Sequence, residues 1–299
     1  MILFLSNGRQ IRGDLIDQAV LRSDLSPIPV TLEAEIRAGD EDFEARLQQG
    51  QILKTITGDE FYIIKSERTA ARVAQGDKEL AGYRVTALLN CCLSVAYVRS
   101  RAIIKENATL SAIYRAAGAS IPSIQSDFPV PRFYCPIGQT PTFHIARVLQ
   151  EEGGVVRWKN SRLQFIRLQS ILDGKVVRTL PESACLDVET GFLERHEVPW
   201  FFSLDAAGGF IFGNRDKPRT VQFSPFKNVQ RLRNLTRCLI HRKTAKIIYD
   251  SNICAGDVIA FSGGTKYAVI TAAHVFKSGT TEGGQTEAFS RLWLGEVEQ

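Results

Sequence analysis

The stretch 110–168 constrains the fold most, because the order of its elements can be read from the residues themselves. Its first part predicts a helix that begins after an N-cap at Asn107 and ends at Gly118. The apolar residues of this helix recur at i, i+3, i+4 and i+7: Leu110, Ile113, Tyr114 and Ala117. The pattern is that of a short amphipathic helix.

A second helix and a strand pair follow in the same stretch. The helix is predicted to start at Thr140 and Pro141, with proline at its first position, and to stop at Gly153. Its apolar stripe consists of Ile145, Val148 and Leu149. The residues 155–168 then read as two strands joined by a turn at 159–161. Together these elements predict a small α/β unit.

The residues on both sides of this unit indicate β-structure. In 30–37, Leu32, Ala34 and Ile36 share one face, and Thr31, Glu33, Glu35 and Arg37 share the other. Further strands are predicted at 50–53, 60–65, 82–89, 176–180, 220–223, 245–249, 254–261, 267–276 and 286–294. The segment 70–78 is predicted to be a loop tip. We therefore expect a mainly β fold with a small α/β part.

The coarse order of the chain is a β-rich unit, an α/β insertion and a second β-rich unit. We place the boundaries so that 1–100 and 176–299 are two similar β-barrel domains and 101–175 is the α/β domain between them. A chain of 299 residues is long enough for two or three domains.

Composition narrows the function classes. The chain is 44% hydrophobic and 23% charged, and its apolar runs are far shorter than the ~20 residues that span a bilayer. It lacks the features of a signal peptide, so we expect a protein that stays in the cytoplasm where it is made. The six cysteines show no metal-binding spacing and are expected to be reduced and mostly buried. No glycine run has phosphate-binding spacing, and we expect no cofactor.

Charge is distributed unevenly along the chain. The net charge is +5, and nine Lys and Arg residues with no acid lie between Lys217 and Tyr249. The segment 33–44, in contrast, holds six acids and one arginine, Arg37. Such a basic stretch could contact phosphates, meet an acidic neighbouring subunit, or be a solvated face. For the second alternative, the predicted interface residues are Arg231, Arg233, Arg237, Arg242 and Lys243, with Glu33 and Glu35 as acidic partners.

One segment is similar to a catalytic motif. The run 269–274, which ends in His274, resembles the segment that carries the catalytic histidine of chymotrypsin-like peptidases. Such an enzyme also needs a serine, an acid and an oxyanion hole, but only 25 residues follow His274 and they hold no Gly-Asp-Ser-Gly-Gly. Glu151 and Glu152 at a helix end are better explained as a solvated face than as an acid–base pair. A peptidase or a cell-wall hydrolase using His274 stays the alternative function.

Three blocks of sequence, taken in order, carry a further resemblance. The first is 24–33 together with the strand around 61–64. The second is the helix–loop–helix–strand segment from 110 to Trp158, which includes the Gln139–Thr142 run. The third consists of 256–259, 267–276 and 284–294. In order and spacing, these blocks resemble the baseplate hub proteins of contractile phage tails, the late-control protein D family, which is related to the VgrG hub of type VI secretion.

The resemblance implies a non-enzymatic structural protein of the virion tail baseplate, assembled in the host cytoplasm. Two tube-like β-barrels per chain, in a homotrimer, would form a ring that adapts the hexameric tail tube to the trimeric central spike. The implied partners are a tail tube or tail tip-adaptor protein, a central spike protein, and a baseplate wedge or tape measure protein. DNA would pass through a polar lumen without specific binding. His274 would then belong to a barrel strand, and a separate protein would supply the spike point.

Overall fold

The structure is a computed structural model that describes residues 1–69, 74–75, 78–79, 81–188, 198–215, 220–279 and 285–298. Strands dominate, and four short α-helices accompany them. The prediction of a mainly β fold with a small α part is confirmed. Within the described residues, no helix has the length and apolarity needed to cross a membrane.

The first third of the chain consists of strands and one short helix. The strands are β1 (Leu3–Leu5), β2 (Ile16–Asp24), β3 (Val30–Ala38), β4 (Ile52–Thr55), β5 (Glu60–Thr69), β6 (Ala74–Gln75), β7 (Lys78–Glu79) and β8 (Ala81–Leu89). The helix α1 (Glu41–Ala45) was not predicted. Its N-cap is Asp40, whose side chain accepts a hydrogen bond from the Phe43 amide at 2.7 Å, so part of the acidic run begins a helix. Most of the predicted loop tip 70–78 lies outside the described residues.

The middle of the chain follows its predicted order. Its elements are β9 (Ile103–Thr109), α2 (Leu110–Ala116), β10 (Ile124–Gln125), β11 (Pro129–Cys135), α3 (Pro141–Glu151), β12 (Gly154–Lys159) and β13 (Arg162–Arg167). The N-cap prediction at Asn107 was wrong: Asn107 lies in β9 with φ +46°, and Thr109 caps α2 by accepting from the Ala112 amide. Gly118, at φ +88°, ends that helix as predicted. The apolar stripes of both helices are buried.

The last third is again β, with one more helix. Its elements are β14 (Val176–Leu180), β15 (Cys185–Asp187), β16 (Trp200–Leu204), β17 (Phe210–Phe212), β18 (Val221–Phe223), α4 (Val229–Leu235), β19 (Leu239–Ile248), β20 (Val258–Phe261), β21 (Lys266–Lys277) and β22 (Glu287–Val297). The helix α4 was not predicted and lies within the basic stretch. Short 3-10 helices occur at Gly13–Leu15, Asn90–Ala96, Leu168–Asp173 and Glu182–Ala184.

A single 12-stranded sheet joins the two ends of the chain. Its order is β1-β4-β5-β8-β3-β2-β21-β22-β19-β15, while β20 pairs with β21 and with β14. The junction is the antiparallel pair β2·β21, in register from Gln18 opposite Lys277 to Asp24 opposite Thr271. The first and last thirds therefore share one hydrogen-bonded sheet. The domain boundaries at 100 and 175 stay a prediction.

Smaller sheets complete the fold. They have the orders β10-β13-β12, β11-β9, β17-β16-β18 and β6-β7. The β12–β13 turn forms at Asn160 and Ser161, both with positive φ, where the sequence predicts it. One hydrophobic core combines the first third with the middle elements, and a second core lies in the last third.

The six cysteines are free in this structure. Cys92 and Cys135 are buried and the other four are partly buried. Cys91 and Cys92 would point to opposite faces of a strand, but they lie in a 3-10 helix with their sulfur atoms 3.8 Å apart. Among the described residues, no three His, Cys, Asp or Glu side chains gather as metal ligands would.

Candidate functional surface: the open face of the long sheet

The outward face of the 12-stranded sheet is continuous across both thirds of the chain. In β3, Leu32, Ala34 and Ile36 are buried, and Glu33 and Glu35 are on the opposite face, as the alternation predicts. Arg37 departs from this pattern because it is buried and pairs with Asp17 at 2.7 Å.

The strand register shows how far this face extends. Residues directly opposite one another in an antiparallel pair project from the same face. One such row runs across six strands through Lys246, Arg291, Ala273, Arg22, Thr31 and Leu88. It passes from β19 to β8 through the β2·β21 junction. We call the side of the sheet that carries this row the open face.

The open face carries charges of both signs. Arg84 pairs with Glu35 at 2.5 Å, Arg22 with Asp24 at 2.8 Å, and Lys65 with Glu67 at 2.7 Å. These pairs are substantially exposed, so each contributes at most about 1 kcal/mol to stability. On β2, β3, β5 and β8, these pairs make the face polar, with acids and bases close together. On β21, the same side carries Ala273 and Val275, which are buried.

The C-terminal side of the open face is more basic. Arg291 is exposed, and the Lys246 ammonium lies 4.1 Å from the centroid of the Phe289 ring, a cation–π contact.

Two of the predicted interface residues, Glu33 and Glu35, lie near one another on the open face. Their part in an interface stays a prediction.

The predicted basic interface residues lie elsewhere, on α4, just after it, and on β19. Arg231 pairs with Glu152 at 2.7 Å, and Arg242 pairs with Glu296 at 2.7 Å. Lys243 pairs with Asp187 at 2.6 Å, which raises the pKa of its ammonium because the hydrogen-bonded carboxylate favours the charged form.

The other two predicted basic interface residues are Arg237 and Arg233. Arg237 donates to the Gln169 side chain at 3.1 Å, and Arg233 is exposed. Much of the basic stretch is therefore neutralised or hydrogen-bonded within its own chain. Whether the set also contacts a neighbouring subunit stays a prediction.

The acidic end of α3 is not a solvated face, contrary to the sequence-based interpretation. Glu151 is buried and Glu152 is mostly buried. Lys227 pairs with the Glu151 carboxylate at 2.7 Å, and the side-chain amide of Asn234 donates to the backbone carbonyl of Glu151 at 3.0 Å. The glutamates are buried because α4, which the sequence analysis missed, and Lys227 just before it bring cations over them. They join α3 to α4.

A buried carboxylate joins the middle elements to the last third. The Asp257 side chain is 3% exposed and pairs with Arg157 at 3.0 Å and with Lys159. Arg157 also donates to the Gly256 carbonyl at 3.0 Å, and the Cys254 amide donates to Asp257 at 3.0 Å. Burial and the nearby carboxylate raise the pKa of the Cys254 thiol to about 11. Because strand β12 supplies both cations, this cluster fixes it against the loop before β20.

The same hairpin is held to the first third by a second carboxylate. Asp59, in the β4–β5 turn, accepts hydrogen bonds from the Trp158 indole at 3.0 Å and from the Ser161 hydroxyl at 2.9 Å. The hairpin β12–β13 thus contacts both parts of the long sheet through side-chain hydrogen bonds.

His274 lies in a satisfied, buried network. Its Nε2 donates to the Ile253 carbonyl at 3.0 Å, and its Nδ1 accepts from the Ser290 hydroxyl at 2.8 Å. Ser290 in turn accepts from the Asp250 amide at 2.9 Å and is fully buried. Burial lowers the pKa of His274, so the imidazole is neutral near pH 7.

This network is unsuited to a peptidase. The nitrogen that would take a nucleophile's proton already donates to a backbone carbonyl, and the nearby serine is inaccessible to substrate. The described carboxyl groups with a displaced pKa, Asp42, Glu60 and Glu67, are all displaced downward by hydrogen bonds to Arg or Lys. A glycosidase acid requires the opposite displacement. The geometry does not favour the alternative based on His274.

Comparisons by sequence return no relative: no protein-family model and no curated protein match the chain. Solved structures do match. A tail protein from Neisseria meningitidis MC58 has a TM-score of 0.64 at 11% identity, covering 99% of this chain and 95% of that one. The 43 kDa tail protein of prophage MuSo2 from Shewanella oneidensis has a TM-score of 0.58 at 11% identity, covering 99% and 96%.

The same fold extends to secretion systems. A component of the type VI secretion system from E. coli, described as structurally similar to bacteriophage T4 tail proteins, has a TM-score of 0.56 at 11% identity and covers 95% of this chain and 74% of that one. At such identity the likeness establishes the fold and not the activity. The chain therefore has the fold found in phage tail proteins and in this type VI secretion component.

Proposed function

We propose that this chain is the structural hub of a phage tail baseplate. Three copies form a ring that adapts the hexameric tail tube to the trimeric central spike and forms the end of the DNA channel. The observation that carries the proposal is the likeness to tail proteins from end to end of the chain, with one sheet running through both β-rich parts.

Symmetry explains why such a sheet suits the task. Two β-rich parts per chain, in three copies, present six similar units to a hexameric neighbour and three identical units to a trimeric one. Hydrogen bonding across β2·β21 fixes the two parts of each chain relative to one another, so the six units keep their spacing. A closed ring of this kind uses head-to-tail interfaces between copies.

In this proposal the open face lines the channel. DNA must slide past the wall without stopping, and a strong run of cations would bind the phosphates. Over β2, β3 and β8, the open face instead interleaves acids with bases, as in the pairs of Arg84 with Glu35 and Arg22 with Asp24. The polar side chains of these strands also leave this part of the wall hydrated.

The remaining features follow from the same role. The hub acts without catalysis, and its partners are the tail tube or tail tip-adaptor protein, the central spike protein, and a baseplate wedge or tape measure protein. It is assembled in the host cytoplasm and ends in the virion tail. The ionic clusters around Asp257 and Glu151 are structural and hold the middle elements on the sheet.

The oligomeric state gives a first test. By light scattering coupled to size exclusion, we expect the purified chain to have three times its 33.3 kDa mass at micromolar concentration. A chain that stays monomeric at the highest soluble concentration would contradict the homotrimer.

A further inference from the structure

The adjacent cysteines Cys91 and Cys92 form a thiol pair that the proposed hub role does not use. On a strand, neighbouring side chains point to opposite faces. These two cysteines lie instead in the 3-10 helix Asn90–Ala96, which has about three residues per turn. Their sulfur atoms are 3.8 Å apart and share a hydrogen bond. Two thiols therefore meet without the spaced motif of most metal-binding cysteines.

The distance between the two sulfur atoms suits a tetrahedral metal ion. Zinc binds thiolate sulfur at about 2.3 Å in tetrahedral geometry, which places two bound sulfur atoms about 3.8 Å from one another. The ion then lies only about 1.3 Å off the line that joins the sulfur atoms. It takes the place of the proton that the two thiols share, so the pair needs little rearrangement to bind it.

The backbone that carries the pair is held from two sides. The Ser120 amide donates to the Cys91 carbonyl at 3.0 Å, and the side-chain amide of Asn90 donates to the Glu60 carboxylate at 3.1 Å. Val95, in the same 3-10 helix, is fully buried. Because the two thiols are already positioned, they lose little conformational entropy when an ion binds.

A disulfide between the two cysteines is the competing product. Adjacent Cα atoms are about 3.8 Å apart, whereas Cα atoms joined through a disulfide are usually about 4.4–6.8 Å apart. Closing the bond would strain the 3-10 helix, and strained disulfides are easily reduced. A metal ion accepts the sulfur atoms at their present separation, so the geometry favours the ion.

The pair is open on one side. Cys91 is partly buried and Cys92 is buried, so an ion reaches the sulfur atoms past Cys91. Among the described residues, no third His, Cys, Asp or Glu side chain completes a metal site with them. Two positions of a tetrahedral ion are therefore left for water or another small ligand.

We propose that Cys91 and Cys92 together bind one divalent cation of the zinc group, Zn²⁺ or Cd²⁺, through their two sulfur atoms. Both thiol protons leave when the ion binds, because the ligand is the thiolate. Solvent fills the two remaining positions. The site lies within one chain and does not require the proposed trimer.

Titration with Cd²⁺ as the probe tests the site. The full chain, reduced and free of added thiols, is titrated by calorimetry and by the ultraviolet charge-transfer absorption of cadmium thiolate. We expect one tight site per chain and a melting temperature that rises with the ion, because an ion that binds the folded state stabilises it. Absence of the thiolate absorption at millimolar Cd²⁺ would overturn the proposal.

Two serine variants assign the ligands. Cys91→Ser should weaken Cd²⁺ binding by about 100-fold or more, since even the outer partners of a metal site are worth ~10–100-fold in affinity. The matched control Cys185→Ser changes another partly buried cysteine, in β15, and should bind as the wild type does. Equal affinity of Cys91→Ser and the wild type would refute the site.

A protection experiment on the wild type needs no variant. The chain is alkylated with N-ethylmaleimide, with and without Cd²⁺, and its peptides are identified by mass spectrometry. We expect Cd²⁺ to protect Cys91 and to leave the alkylation of Cys185 unchanged. Equal alkylation of Cys91 in both samples, or a Cys91 that the reagent does not reach, would contradict the inference whatever the oligomeric state.

Discussion

Replacing Asp257 by asparagine is expected to lower the free energy of unfolding by about 3–5 kcal/mol, the usual cost of removing one partner from a buried ion pair. The substitution keeps the shape of the side chain and removes its charge. Arg157 and Lys159, whose side chains are 20% and 23% exposed, would then face one another without a counter-charge. Urea unfolding followed by tryptophan fluorescence measures the loss.

The control for this prediction is Asp173→Asn, at an exposed aspartate that ends the 3-10 helix after β13. We expect it to change stability by no more than about 0.5 kcal/mol. A double variant, Asp257→Asn with Lys159→Met, should recover part of the loss because it removes one of the two uncompensated cations. Equal stability of Asp257→Asn and Asp173→Asn would show that the cluster does not hold the middle elements.

Charge reversal at two neighbouring arginines of α4 is expected to lower stability at Arg231 and to leave it nearly unchanged at Arg233. Arg231→Glu places a third carboxylate beside Glu151 and Glu152 and should cost about 3 kcal/mol or more, because the Arg231–Glu152 pair is mostly buried. Arg233→Glu changes an exposed residue on the same helix and should stay within about 0.5 kcal/mol.

Thermal unfolding of the two variants, followed by circular dichroism, makes this comparison. Net charge changes equally in both. The helix dipole favours Glu in the first turn, at 231, over Glu in the last turn, at 233, so a larger loss in Arg231→Glu reports the lost contact with Glu152. Similar melting temperatures would contradict the structural role of Arg231. From the sequence alone, both arginines appeared as equivalent interface residues; the structure makes Arg233 the one whose reversal reports on assembly rather than folding.

Local patterns predicted a large part of the fold. The stripe of α3, the stop at Gly118 and the turn at 159–161 depend on residues close together in the chain, and all are present. Helix α1 was missed because five residues are too few for a clear apolar period. Helix α4 is as long as α2, but it was missed because it buries only two apolar residues, Leu232 and Leu235. The signals that could have found them are the N-caps Asp40 and Asn228, each of which accepts from the amide three residues on.

The long-range features were not predictable from such patterns. The β2·β21 pair joins strands about 250 residues apart, and the Asp257 cluster joins side chains 98 and 100 residues apart. Alternation shows that Glu33 and Glu35 face outward, but it does not show which strands lie beside them. For the same reason, the ion pairs of Glu151 and Arg231 could not be predicted without knowing where α4 lies.

In the proposed hub, three copies enclose a channel lined by the open face of the sheet. Electron cryo-microscopy of the assembled particle tests it most directly. We predict a three-fold ring with a central hole, in which Arg22, Glu35 and Arg84 face the lumen. A particle without three-fold symmetry, or a ring in which these residues lie on the outside or are packed against another protein, would contradict the claim.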